Sequence, residues 1–361
     1  MKKIIFLFFL FALSFFLPKR VFAQEEILEG EVTAVIEEDV MTQEGRQSLY
    51  QQLEVLITKG SLTDRKIAVE VGNIPLTGQQ KYKAGDGVLL SYSHDLEGNE
   101  VFNVSDFVRR KYLLWLFLIF VILVIAIGRW QGMSSLLGLG ISFLVIFIFI
   151  LPQIDAGHDP VIVAITASLL IIPSTFYLSH GVNKKTSIAI IGTLLALILT
   201  GFLAKFFIQA ARLTGFASEE AGFLQVAKQG SLNIRGLILA GIIIGALGIL
   251  DDITVAQAAI VQQLKEANPK AHKKELFFRA MKVGRDHIAS MVNTLVLVYA
   301  GAALPLLLLF INNPLPFLQV INYEIIAEEI IRTLVGSIGL ITAVPLTTFL
   351  ASRVKFRKTS S

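Results

Sequence analysis

The chain has no cysteine. Disulfides, zinc–thiolate sites and a cysteine nucleophile are therefore excluded, and any domain outside the membrane must hold together by its own core. Charge is scarce too: 17% of the 361 residues are Asp, Glu, Lys or Arg, against 54% hydrophobic. That balance is far from an ordinary soluble protein. There is no Walker A loop, so the chain encodes no ATPase. No basic stripe with interleaved aromatics is present, so nucleic acid is not an expected partner. The few histidines are scattered. DAGHDP, with Asp155, His158 and Asp159, reads as a Gly- and Pro-bearing turn rather than a metal site. Neither a metal nor a cofactor is expected.

What the chain does have is long apolar blocks after residue 111, divided by short polar stretches. This is the pattern of a polytopic α-helical protein whose main partner is the lipid bilayer. The N-terminus, MKKIIFLFFLFALSFFLPKRVFAQ, combines a basic start, an apolar stretch and a small-residue cleavage pattern at 21–23. Residues 1–23 are thus expected to be a signal peptide. Lys19 and Arg20 leave an uncleaved anchor open.

Residues 24–108 differ in composition. EGEVTAVIE, SLYQQLEVLI, RKIAVEV, GVLLSYS and NEVFNVSDF alternate with period two or carry strand-forming residues, with turn residues between them. About five short strands predict a small extracytoplasmic β-rich barrel of the OB or SH3-like kind. YKAGDGVLL reads as a hairpin turn leading into a core strand.

In the multi-span domain, 109–361, spans are expected near 112–128, 134–151, 160–178, 187–207, 236–255, 288–311 and 335–351. That is about seven after signal cleavage. The 262–287 loop carries Lys265, Lys270, Lys273, Lys274, Arg279, Lys282 and Arg285. Lys184, Lys185 and the tail cations fall on the same side, while PQIDAGHDP and NNPLPFLQVINYEIIAEE have no Lys or Arg. This asymmetry puts the basic loop and the C-terminus in the cytoplasm of a bacterial plasma-membrane protein. Arg109, Arg110 and Lys111 dissent; they can snorkel to lipid phosphates. Pro173, Pro305 and Pro345 interrupt spans, and Gly241 and Gly245 offer a small-residue face.

GILDDITVAQ places Asp251 and Asp252 just after the fifteen residues from Gly236 to Leu250, roughly 22 Å along a helix. Both carboxylates then lie inside the inner leaflet, where a bare charge costs at least ~2.5 kcal/mol. Thr254 and Gln257 continue a polar stripe from Asp251, and Asp252 points about 100° away. A second set, Asp286, Ser290, Asn293 and Thr294, opens the next span on one face. The basic segment KAHKKELFFRAMKVG between them is suited to the inner membrane surface. Two readings stand. The polar residues line a substrate or ion pathway, or Asp251 and Asp252 pair with Arg285, His287 or Lys282 and the rest are interhelical hydrogen-bond glue.

GALGILDDITVAQ and VGRDHIASMVNTLVLVYAGAALPLLLLF resemble the YibE/F-like family of bacterial multi-pass membrane proteins, over about 114–351. The resemblance implies location and topology and a permease-like role, but no substrate and no catalytic residues. The expected function is a permease or ion-coupled transporter of an ion or small solute. The alternative is a non-transporting scaffold, sensor or assembly factor whose outer domain binds a ligand, a second copy or a membrane partner. Catalysis is not expected: adjacent aspartates on one helix cannot share a proton as an aspartyl dyad does, and although Asp286 on a facing helix could pair with Asp251 or Asp252, VGRDH and ILDD do not match the motifs of intramembrane aspartyl proteases.

Overall fold

The computed structural model describes residues 26–43, 46–72, 81–95, 97–311 and 316–354. The expected signal segment, Asn73, the loop residues 312–315 and the tail cations Lys355, Arg357 and Lys358 lie outside the described residues. The chain forms two compact units, Met1–Phe120 and Val121–Ser361.

In the first unit, β1 (Glu26–Gln43), β2 (Arg46–Lys59), β3 (Lys66–Val71), β4 (Gly87–His94) and β5 (Glu100–Phe107) form one antiparallel sheet, ordered β3-β2-β1-β4-β5. Alternation sends Leu28, Leu53, Val55, Ile57, Val88 and Leu90 to a closed core. β1 pairs with β2 along most of its length and with β4 only over Glu26 to Glu31. Register shifts near Gly30, Val32 and Val35 bend it. A Cβ on Gly30 would sit 2.5 Å from Val55 Cγ1, so the bend needs glycine. Arg65, just before β3, donates to both carboxylate oxygens of Glu100 on β5 at 2.9 and 2.6 Å. The two outer strands therefore approach, and the sheet curls into an antiparallel half-barrel. The turn at 83–86 does lead into a core strand, but β4 pairs with β1 rather than with β3. The turn docks through Gly85 N–H to Val32 O at 2.8 Å.

Two of the three dissenting cations, Arg109 and Arg110, do not need lipid phosphates. Arg109 pairs with Asp106 at 2.5 Å, and Arg110 pairs with Glu29, which also lies 3.6 Å from Lys59. The hydrogen bond from Arg110 holds the Glu29 carboxyl below the usual carboxylate range.

The helices are α1 (Arg110–Val145), a π turn (Ile146–Ile150), α2 (Leu151–Asp155), α3 (Pro160–His180), α4 (Lys184–Ala210), α5 (Glu219–Ala227), α6 (Ile234–Ala267), α7 (Lys273–Ala302), α8 (Leu304–Ile311), α9 (Phe317–Val320) and α10 (Glu324–Arg353). Among the described residues, five stretches are long and apolar enough to cross a bilayer: Arg110–Asp155, Pro160–His180, Lys184–Ala210, Ile234–Ala267 and Glu324–Arg353. The first is not one rod. Arg129 breaks it, with φ 51° and ψ −128°, and a Cβ on Gly132 would lie 2.2 Å from the Val124 carbonyl oxygen. The helix is sharply kinked there, which divides the stretch into two limbs. The expected 288–311 span runs from α7 into α8 and is interrupted at Ala303, ahead of Pro305. Pro173 and Pro345 stay inside unbroken helices.

The middle of this unit is built by α4, α6 and α10. A Cβ on Gly192 would lie 2.3 Å from Thr347 Oγ1, and one on Gly339 would lie 2.2 Å from Thr200 Oγ1. Numbering rises on α4 as it falls on α10, so these two helices are antiparallel and interlock through reciprocal Gly–Thr contacts. This is close packing through small residues, as expected where lipid supplies no hydrophobic drive between helices. Gly241 has nothing within 4 Å of a Cβ, so the close approach lies elsewhere than at the small-residue face the sequence pointed to.

Candidate functional site

α6 is longer than its apolar run suggests. Asn233 caps it by accepting from Gly236 N–H at 2.9 Å, and it continues unbroken to Ala267, twelve residues past the expected end near 255. Asp251 and Asp252 therefore sit in the middle of a 34-residue helix rather than at its end. Asp251 is half-buried and Asp252 exposed.

Both carboxylates border one cavity of about 600 Å³. The limb of α1 after the kink supplies Gln131 and Ser135, the end of α3 supplies Ser179 and His180, and Leu123, Val124 and Ile127 form an apolar wall. Gly138 on the second limb of α1 lies 3.5 Å, measured from an ideal Cβ, from Ser179 Oγ, which ties that limb to α3. Asp252 and Lys185 are both within electrostatic reach of His180. Adjacent helix residues differ by about 100° in direction, yet a cavity this wide is bordered by both. The two aspartates thus share one space.

The stripe that continues from Asp251 leaves that space. Each i to i+3 step falls about 60° short of a full turn, so Thr254 and then Gln257 wind away into the packed interior. Both are fully buried. Thr254 Oγ1 lies 2.7 Å from Thr193 Oγ1 on α4. Gln257 Nε2 donates to Ala280 O at 3.1 Å on α7 and to Thr348 Oγ1 at 2.7 Å on α10. Gln257 Oε1 has no partner. A Cβ on Gly284 would stand 3.2 Å from it, so that side is closed by glycine backbone.

The second expected set is elsewhere again. Asp286, Ser290, Asn293 and Thr294 lie exposed on α7, and none borders the cavity. Among the described residues, no ion pair joins Asp251 or Asp252 to Arg285, His287 or Lys282. The reason is directional: the aspartates open toward α1 and α3, whereas α7 meets α6 through Gln257 and Ala280. His287 Nδ1 is buried without a partner, and Lys282 and Arg285 are exposed.

Sequence reasoning missed Gln131, Ser135, Ser179 and His180. RWQG and LSHG stand at the ends of apolar runs and were the available signal. Glu324 was also missed: its carboxylate accepts from Thr214 N–H at 2.6 Å and Gly215 N–H at 2.7 Å, fixing the loop after α4 to the start of α10. Among the described residues there is no group of three or more His, Asp or Glu suited to a metal ion.

The family model for YibE/F-like proteins matches residues 116–357, about two thirds of the chain. The chain belongs to the YibE/F-like family. The match begins inside the first limb of α1 and runs past the end of α10, so the cavity lies wholly within the family region. The β unit lies before it. No curated protein and no solved structure matches the chain.

Proposed function

We propose that this YibE/F-like protein is a permease or ion-coupled transporter of the bacterial plasma membrane, and that Asp251 and Asp252 bind the transported ion or a cationic group of a small solute. One observation carries the reading: two carboxylates in the middle of an apolar, membrane-length helix open into a cavity of about 600 Å³. Intramembrane carboxylates are costly, and those that line a cavity mark substrate or ion paths. The volume suits a small-molecule site. Gln131, Ser135 and Ser179 supply neutral hydrogen-bonding groups, and His180 a titratable one. Thr254 and Gln257 belong in this reading to the packed support behind the site. The exposed face of α7 that carries Asp286 and Ser290 lies off the path.

The rest of the architecture is part of the proposal. Counting the two limbs of kinked α1 separately and adding the α7–α8 segment brings the spans to about seven, following a signal peptide. The basic loop and the C-terminus are cytoplasmic, and the β unit is outside. The strand order β3-β2-β1-β4-β5, with β3 and β5 brought together by Arg65 and Glu100, favours the OB kind of barrel over the SH3 kind. No reaction is assigned to the protein.

The missing cysteines supply the test. Single cysteines at Gln131, Ser135 and Ser179 should react with a membrane-impermeant thiol reagent from one side. Cysteines at Thr254 and Gln257 should not. Asp251→Asn or Asp252→Asn should abolish transport while leaving the protein inserted. Unreactive cavity positions together with fully functional Asn variants would favour the scaffold, sensor or assembly role instead.

A further inference from the structure

The first half of α7 carries a second charged feature, independent of the cavity. Leu276, Ala280 and Gly284 are buried and turn one face to the bundle. At 100° per residue, Lys274, Phe278, Lys282 and Arg285 fall within about 40° of a line on the opposite face. All four are exposed, Phe278 to 67%. Among the described residues, Lys274, Lys282 and Arg285 have no ion pair or hydrogen bond. Arg279, beside them, is held by Glu275 at 2.8 Å. The same line continues through Ala289 to Val296, which is 43% exposed. One helix face thus passes from unpaired cations around an uncovered aromatic ring to an apolar surface. Asp286, about 80° round, is the nearby opposing charge on this helix without an ion pair.

We infer that this face binds anionic phospholipid, with Lys274, Lys282 and Arg285 holding the headgroup phosphate and Phe278 inserted among the acyl chains. Charge complementarity and the change from basic to apolar along one line select a lipid rather than a free anion, because a free anion would leave Phe278 and Val296 uncovered. A basic side chain near an anionic surface strengthens binding about fivefold. Three acting together should give a large preference for anionic over zwitterionic lipid, weakened by salt.

The test uses the full-length chain with Trp115→Phe, Trp130→Phe and Phe278→Trp, so that position 278 alone reports. Reconstituted protein is quenched by brominated phosphatidylglycerol and, separately, by brominated phosphatidylcholine. Stronger quenching by the glycerol lipid at equal mole fraction is expected, falling in 0.5 M salt on the order of the screening expected for exposed charges. Lys274→Gln, Lys282→Gln and Arg285→Gln together should remove the preference but keep quenching by phosphatidylcholine. Lys282→Gln alone should weaken it partly and serves if the triple variant fails to fold. Equal quenching by the two lipids, or a preference that survives the triple change, overturns the inference. So does the absence of quenching by either lipid, which would mean that protein covers the face. Displacement by millimolar inorganic phosphate would make it a site for the free anion and overturn it likewise.

Discussion

The two units bury opposite things. Among the described residues of the β unit the buried set is apolar apart from Gln51, and ion pairs such as Arg65 with Glu100 stand outside. In the helical unit large apolar residues such as Ile162, Ile198 and Phe202 face outward, while Thr186, Thr193, Thr200, Thr254, Gln257, Thr347 and Thr348 are buried. The difference follows from the solvent. Water drives the sheet's apolar face inward. Lipid does not distinguish a leucine on the surface from one in the interior, so helices associate through close packing and hydrogen bonds instead.

The contrast is most open to breaking at the Gly–Thr contacts. Gly192→Val or Gly339→Val should destabilise the helical unit by about 3 kcal/mol, the upper range for overpacking, because the new Cβ meets a stiff threonine within 2.3 Å. Gly241→Val, in open space, should be far milder. Thermal unfolding in detergent measures both, and equal losses at Gly192 and Gly241 would refute a packing role specific to the seam.

The two units each bury a glutamine, and the two differ. Gln51 is fully used: Nε2 donates to Tyr82 O at 3.1 Å and to Glu38 Oε2 at 3.2 Å, and Oε1 accepts from Tyr82 N–H at 2.8 Å. Replacing it by Leu strands a backbone N–H and C=O and should cost about 2 kcal/mol. Gln257→Leu removes two donations but also an unpartnered oxygen, so about 1 kcal/mol is expected. A larger loss at Gln257, measured by denaturant titration, would show that lipid makes such bonds stronger than this comparison allows.

The smallest effect is electrostatic and belongs to the β unit. Arg110 keeps the Glu29 carboxyl below its unfolded value of about 4.3. A lowered folded pKa contributes stability that is present above the unfolded value and is lost as pH falls through the folded one. Hydrogen exchange of β1 and β4 amides should therefore accelerate as the pH drops below about 4. Glu29→Gln should remove that dependence, at less than about 1 kcal/mol because the pair is partly solvated. An unchanged pH profile in this variant would assign the acid sensitivity to other carboxylates.

Much of this is legible in the sequence. Period-two alternation marked the strands, because a pleated chain turns every second residue to one side. Apolar length marked the membrane helices, because a bilayer sets a minimum span. Asp251 and Asp252 stood out because carboxylates are rare in such runs. Their neighbours did not. Helical spacing groups residues along one helix, but it does not say which side of that helix another helix covers.

Sequence alone therefore determined the two-part composition, the apolar stretches and the pair of carboxylates that follows an apolar run. Only the tertiary structure decided that α1 is kinked at Arg129, that Gln131 and His180 meet the aspartates across one cavity, and that Thr254 and Gln257 turn away from it. The physical reason is that period and length are properties of a single element. A cavity is a property of how several elements pack, and here glycines at Gly132, Gly192 and Gly339 set how closely they approach.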